Sequence, residues 1–508
     1  LLFVIHASIM YYVYTYYAGT VMTTRTSPHP DWALKHKLPK TELRCINGHY
    51  YLYEVTSIYD KQKRRARKVS GKLLGKITEE QGFIPSEKHA LRKKAASSIT
   101  PTRLAHREYG LTRFVLGSTD QMQAALARHF PDDASLLLAL AYCRLGWQAP
   151  MKNIPFLLAQ SALPEALHLQ HTGEKIISAR LRLIGAMRPS AVAYMKEFLS
   201  TGDIALIDAT DILCKSRNIA LASKGYNARL DYQPQVSLLY LYSPTKALPV
   251  FYRLLPGNIR EISTLKHTID ECGMQDAVVI ADKGFYSKHN VEELRRHQLR
   301  YILPLKRNNT AIAYHTVDEM EASTEYFLYH QRYIYYRHYI HDGATYCLFL
   351  DGALREREKT DYLNRITTHP ESYSHNEFVH KRRAFGTIAM TTNLETLSAE
   401  DLYLTYKSRG TIEQMFDWLK NVLDADSAYM QNEEALQGWM FVNHLALQIV
   451  TQLHHRINTR KLTPKFSIRD VLLQLTHIRQ IQIGEEWRCA EVTSATKRLL
   501  AKLDIDIT

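Results

Sequence analysis

At 508 residues, with 45% hydrophobic and 23% charged residues, the chain is long enough for about three domains and too apolar to be mainly disordered. Its 65 Lys and Arg against 51 Asp and Glu leave a net charge of +14, which favours a polyanionic partner. Cys45, Cys143, Cys214, Cys272, Cys347 and Cys489 are widely scattered with no C-x-x-C pair, which argues against a disulfide scaffold and a structural zinc site and points to a reducing cytoplasm.

Leu1 to Thr24 holds no Asp, Glu, Lys or Arg and is long enough to cross a bilayer. His6 and five tyrosines between Tyr11 and Tyr17 dilute it, and the basic region of a signal peptide is missing. We expect an upstream extension of the reading frame, with Met22 as the working start; a membrane anchor is the alternative. Residues 1–40 are read as this leader and a Pro-rich linker, with no stable membrane association.

Residues 41–100 read as a small, basic, β-containing unit. The aromatic stretch Tyr50-Tyr-Leu-Tyr-Glu-Val precedes Lys61-Gln-Lys-Arg-Arg-Ala-Arg-Lys68, with six cations in eight residues. Lys63, Arg64, Arg65 and Arg67 are candidate contacts to a DNA backbone; a solvated hairpin turn explains the run equally well. Ala95-Ala-Ser-Ser-Ile-Thr-Pro-Thr102 marks a boundary, and residues 101–200 read as helical. Ser118-Thr-Asp-Gln121 has the form of a capping box before Met122, Ala125, Leu126 and Phe130. Leu136–Leu145 and Ile176–Leu183 continue the helical pattern. No helix-turn-helix is recognisable there.

Residues 201–310 alternate short apolar strands with helices, and 399–460 return to the same core. Ile204-Ala-Leu-Ile-Asp208-Ala-Thr-Asp-Ile-Leu213 is short and apolar-rich. Asp208 is the candidate carboxylate, with Asp211 and, more weakly, Asp203 as alternatives. Asp276-Ala-Val-Val-Ile-Ala-Asp282-Lys-Gly is a buried-type strand ending in an acid and a Gly turn, a usual place for active-site chemistry in an α/β sheet. Asp282 could equally cap the helix expected from Ser287. Residues 311–398 form a β-rich insertion, where seven tyrosines between Tyr326 and Tyr346 are read chiefly as cross-strand packing. Residues 461–508 are a short mixed tail.

Tyr406, Arg409, Glu413 and Lys420 follow at spacings of 3, 4 and 7. On a single helix they fall within an arc of roughly 60°. Phe416, Leu419 and Val422 line a neighbouring face, so an amphipathic helix with a solvated charged side explains much of the pattern. Ser398 with Asp401 offers one helix start, and Thr411 with Gln414 another.

These residues resemble the motifs of DDE-type insertion-sequence transposases. Tyr406 to Lys420 matches their Y-x2-R-x3-E-x6-K signature. Asp282-Lys-Gly-Phe-Tyr-Ser resembles D-x-G-[FY]-[YF]-S, and Ile207-Asp208-Ala-Thr resembles the block around the first acid. Leu255-Pro-Gly257-Asn258 and Ala384-Phe-Gly-Thr-Ile-Ala-Met-Thr-Thr-Asn393 are similar to further family segments. The motifs come in the expected order, with 73 residues between Asp208 and Asp282 and 130 between Asp282 and Glu413.

The resemblance implies an α/β fold: a ribonuclease-H-like catalytic core with a β-rich insertion, preceded by a largely helical N-terminal region in the position of the family's end-binding region. It implies Asp208, Asp282 and Glu413 as catalytic residues and ligands of two Mg²⁺ or Mn²⁺ ions. Tyr406, Arg409 and Lys420 would contact phosphates. The expected partners are double-stranded DNA, as terminal inverted repeats and as target, and a second copy of the chain. A nuclease on the same fold that cuts without joining, and a non-catalytic DNA-binding remnant, stay open at this point. For the amino terminus the expectation is concrete: mass spectrometry of the native protein recovers no peptide before Met22, and one that did would overturn the reading.

Overall fold

The computed structural model describes residues 28–60, 65–89, 105–225, 232–258 and 265–507. The leader with Met22, the cations Lys63 and Arg64, and the 95–102 stretch lie outside them. The chain divides into two compact units, Leu1–Arg103 and Leu104–Thr508.

In the first unit, strands Thr41–Ile46, His49–Asp60, Arg65–Thr78 and Gly82–Pro85 form an antiparallel sheet in chain order. Asn47 and Gly48, both at positive φ, make the two-residue turn between the first two strands, as an Asn-Gly pair favours. The core is small: Ala33, Leu43, Leu52 and Ile77, with Trp32 edge-on to Tyr50 at 5.1 Å. Arg65 and Arg67 are exposed on the long two-stranded ribbon.

The second unit is built on an eleven-stranded sheet. Val278–Ala281 lies parallel between Ile204–Cys214 and Arg300–Pro304, and all four of its residues are buried. A strand covered on both faces has to be apolar throughout, which Val-Val-Ile-Ala satisfies. Beyond Ile204–Cys214 the sheet runs antiparallel through Pro234–Ser243 to Leu248–Pro256. On the other side it runs through Thr387–Thr392, Ala344–Asp351 and Arg332–His341 to Tyr326–Tyr329. The strands of 311–398 therefore extend the same sheet. Their tyrosines largely pack: Tyr339 stacks on its cross-strand partner Tyr346 at 5.5 Å, and Tyr329 meets Tyr403 at 5.3 Å. Tyr326 and Tyr333 stay exposed.

Helix Glu433–Thr459 is apolar nearly all round and is buried along most of its length. Its few polar groups tie it to its neighbours. Gln448 accepts the Tyr194 hydroxyl at 2.7 Å and donates to the Pro249 carbonyl at 3.0 Å. His444 lies against the Tyr240 hydroxyl at 3.3 Å, and burial pulls its imidazole down to about 3, so it is neutral. The tail folds back: Arg479–Ile483 pairs with Glu486–Cys489 and with His106–Glu108.

Two local expectations resolve differently. Ser398 does cap helix Ala399–Lys407, accepting from the Asp401 amide at 3.1 Å. The box expected at Ser118–Gln121 is not formed. Helix Gly110–Ser118 is separated from Asp120–His129 by Thr119 alone, whose backbone leaves the helical region and whose hydroxyl donates back to the Val115 carbonyl at 2.6 Å. Among the described residues no helix is long and apolar enough to cross a membrane.

Helix Glu174–Ala186 crosses the long helix at paired glycines. A Cβ on Gly185 would lie 1.7 Å from the Glu434 carbonyl oxygen, and one on Gly438 would lie 2.2 Å from that of Leu181. These contacts are to backbone, which cannot step aside as a side chain does. Gly185→Ala is expected to cost about 3 kcal/mol, read as a lowered denaturation midpoint in urea.

Candidate active site

The two strand acids are brought together by register. Ala281 pairs with Ile207 in the parallel ladder, so Asp282 and Asp208 follow one step further along neighbouring strands. Asp208 sits mid-strand, its carboxylate accepting from the Ala209 amide at 2.9 Å. Asp282 closes a turn, its carbonyl accepting from the Phe285 amide at 2.9 Å. It does not cap the next helix; Ser287 does, accepting from the Asn290 amide at 3.0 Å.

Glu413 comes from helix Gly410–Asp417, which buries Ile412, Met415 and Phe416 and turns Glu413 outward. Ser408 and Arg409 keep right-handed helical backbone, so Ala399–Lys407 and Gly410–Asp417 form one nearly continuous helical run. The Thr411–Gln414 box is therefore absent: Thr411 is already inside the run and its hydroxyl donates to the Ser408 carbonyl at 2.7 Å.

The guanidinium of Arg409 is the meeting point of the site. It donates to Asp208 at 3.0 Å, contacts Glu413 one turn along its own helix, and lies 3.9 Å from Asp282. The side chains are graded in exposure, 15% for Asp208, 34% for Asp282 and 57% for Glu413, with Arg409 at 17%. Burial pushes the Asp208 carboxyl up to about 6, against the pull of Arg409. Burial opposes the charge on Arg409, but Asp208, Asp282, Tyr406 and Glu413 together hold its pKa above the ordinary value. Tyr406, half-buried beside Arg409, is raised by burial.

Lys420 falls elsewhere. Residues Trp418–Val422 form a widened i→i+5 turn, which alters the angular phase after Asp417. Lys420 acts on Asp211, whose carboxyl burial raises and Lys420 draws back down. Asp203 is removed from the cluster, bonded to Ser243 at 2.9 Å and to the Ile204 amide. So Asp208, Asp282, Glu413, Arg409 and Tyr406 gather, while Lys420 and Asp211 form a neighbouring pair. Arg65 and Arg67 belong to the other compact unit.

A cleft of about 650 Å³ opens beside Asp282, lined also by Lys283, Lys306, Arg307, Tyr314, Tyr406 and Arg409. Arg307 is held by Glu358 at 2.9 and 3.0 Å. The sequence reading did not single out these further cations; the position of Lys283 inside the Asp282-Lys-Gly turn was the available signal.

The donor chemistry suits a hard divalent cation: three carboxylates from a strand, a strand end and a helix, with oxygen donors only. They already converge on one cation, the guanidinium. Among the described residues no group of three or more His, Cys, Asp or Glu side chains is arrayed to hold a metal ion, and Arg409 contacts Asp208 and Glu413 directly.

Residues 199–449 match the family model described as "Transposase DDE domain" and contain all three acids. This part of the chain is thus a transposase DDE domain. That domain is of the DDE-type transposases, enzymes that cleave DNA and transfer its strands. No curated protein matches it. Among solved structures, a piggyBac transposase synaptic complex with hairpin DNA is similar at 10% identity, covering 74% of this chain and 82% of that one with a TM-score of 0.36, a likeness too slight to bear on the site.

The raised Asp208 carboxyl has a consequence for stability without metal. Between the ordinary carboxylate range and about 6, the folded protein binds more protons at this group than the unfolded chain does. Stability from Asp208 is therefore gained as pH falls through 6 and lost as it rises. In chelator, the melting temperature of the wild type should rise relative to Asp208→Asn between pH 7 and pH 4; a flat difference would refute it.

Proposed function

We propose that Asp208, Asp282 and Glu413 are the metal-ligating catalytic acids of this transposase, acting on the terminal inverted repeats of an insertion sequence and on target DNA. The observation that carries the reading is the convergence of all three carboxylates, from separate elements, on the single guanidinium of Arg409. The core is of the ribonuclease-H-like class, with 311–398 as its β-rich insertion and 101–200 as a helical DNA-binding region.

Two ions, Mg²⁺ or Mn²⁺, would be held by these acids, supplying activation of the attacking oxygen and stabilisation of the leaving one. The residues of the chain do the rest. Asp208 and Asp282 are fixed by the sheet register, so their spacing is set by backbone. Glu413, on a helix and more exposed, closes the set from the solvent side. Arg409 offers a planar fork suited to a phosphate once the acids have another cation to face. Tyr406 carries a hydroxyl at the cleft wall that is neutral at physiological pH and can donate to a phosphate oxygen. Lys420 contributes positive charge near the site, and Lys63, Arg64, Arg65 and Arg67 serve as backbone contacts from the N-terminal unit. Water attacks first, freeing a 3′-hydroxyl at the element end; that hydroxyl then attacks the target. Two ends must be held together, so a homodimer in the DNA complex is proposed, working in the cytoplasm.

The test is Mg²⁺- or Mn²⁺-dependent cleavage and joining of DNA carrying the element's terminal sequences, with Glu413→Gln beside the wild type. The variant should lose about a thousandfold or more in cleavage rate while binding DNA within twofold of the wild type. A variant that cleaves as fast as the wild type would remove Glu413 from the site. Cleavage without joining would favour a nuclease.

A further inference from the structure

The helical run that carries Arg409 and Glu413 starts at the Ser398 cap and passes Gly410, where there is open space around the backbone. Its other end is held tightly. Four successive carbonyls, those of Asn421, Val422, Leu423 and Asp424, each accept from a side chain of another helix. Arg469 donates to Asn421, and Gln148 donates to Val422 at 2.9 Å. Arg144 donates to Leu423 and, at 3.3 Å, to Asp424. The first three are acceptors that a helix leaves unpaired at its C-terminus, and Asp424 lies just beyond it at positive φ.

Arg144 is unusual for a buried arginine. It is 7% exposed, and among the described residues no carboxylate forms a close ion pair with it, Asp424 being the acid that acts on it from further off. Its remaining contacts are the Asn443 side-chain oxygen at 3.1 Å, the Ala149 carbonyl at 3.5 Å and the face of Trp439 at 5.8 Å. Burial lowers its pKa only to about 10, so it keeps its charge at neutral pH. Packing alone would be better served by an apolar side chain, since a buried cation without a close ion pair is costly. What a guanidinium offers here is several donors in a rigid fork and a positive charge at the negative end of a helix.

We propose that Arg144, assisted by Gln148 and Arg469, is a positioning residue for the catalytic helix: it anchors the C-terminal end and so fixes where Glu413 and Lys420 stand relative to Asp208 and Asp282. The role rests on the reading of Glu413 as a catalytic ligand. It joins three parts of the chain, since Arg144 and Gln148 come from the 134–148 region and Arg469 from the tail helix Ile468–Thr476. The helical region is thereby coupled to the chemistry without touching it.

Two variants of the full chain test this. Arg144→Lys keeps the charge and loses the fork; Arg469→Ala removes an exposed side chain, so a fold that tolerates nothing at 144 still leaves a measurement. Backbone amide exchange is followed by mass spectrometry, beside single-turnover DNA cleavage and DNA affinity. In either variant, peptides spanning 413–424 should exchange about tenfold faster while 204–214 and 278–281 are unchanged. Cleavage should fall about tenfold for Arg144→Lys and about threefold for Arg469→Ala, with the DNA Kd within twofold. Unchanged exchange at 413–424, faster exchange with full cleavage, or loosening of the whole sheet would each overturn the proposal. Failure of the underlying reading appears separately, as a folded wild type that does not cleave, and removes the catalytic role of the clamp with it.

Discussion

The arrangement depends on one electrostatic balance. Three carboxylates brought together in a half-buried site repel one another, and the ionised form of the most buried is disfavoured by lost hydration. Arg409 answers both terms at once, because a guanidinium stays charged at every relevant pH and can donate in several directions in one plane. Asp208 shows how incomplete the compensation is: even beside Arg409 its carboxyl sits near 6. A site in this condition has a standing affinity for further positive charge. The cluster that folding must neutralise is the same cluster that a phosphoryl-transfer enzyme needs to present to a divalent cation.

Where the acids stand follows from how the sheet is ordered. A short parallel strand at the centre, Val278–Ala281, ends one residue before Asp282, and its register against Ile204–Cys214 sets Asp208 beside it. Neither position depends on a flexible loop. The strands of 311–398 continue the same sheet rather than forming a separate layer, so their first wall, Thr387–Ala389, becomes one side of the cleft next to Asp282. The tyrosines there serve mainly to build that wall, as the stacking of Tyr339 on Tyr346 illustrates.

Much of this was legible in the sequence, for identifiable reasons. Val-Val-Ile-Ala followed by Asp-Lys-Gly can hardly be anything but a buried strand running into a turn, and Arg409 with Glu413 are four apart on a helix, the spacing at which side chains meet. Lys420 was placed on the same face because an ideal helix was extended through Trp418–Val422. The i→i+5 turn there leaves no mark in residue pattern, being set by how the run packs and ends, and it turns Lys420 toward Asp211. The capping boxes at Ser118 and Thr411 failed for a shared reason. Ser118 is the last residue of a helix already formed, next to Thr119, whose hydroxyl bonds back to the Val115 carbonyl; Thr411 lies inside its run and its hydroxyl bonds back to the Ser408 carbonyl. The strand pairing of Arg479–Ile483 with His106–Glu108 joins residues more than 370 apart, beyond any local signal.

The three acids are also held by different kinds of element. Asp208 and Asp282 are tied to neighbouring strands by backbone register, whereas Glu413 rides on a helical run that starts at the Ser398 cap. Exposure rises in the same order, from 15% to 57%. On the role proposed for the three acids, the placement of Glu413 then depends on how that run is held at both ends. That role needs an anchor, since a displacement of about 1 Å at a catalytic group is enough to cost orders of magnitude in rate. The far end of the same run, with its four carbonyls held by Arg144, Gln148 and Arg469, supplies that anchor. The helical region and the tail, which carry none of the acids, thereby set the limits within which Glu413 can move.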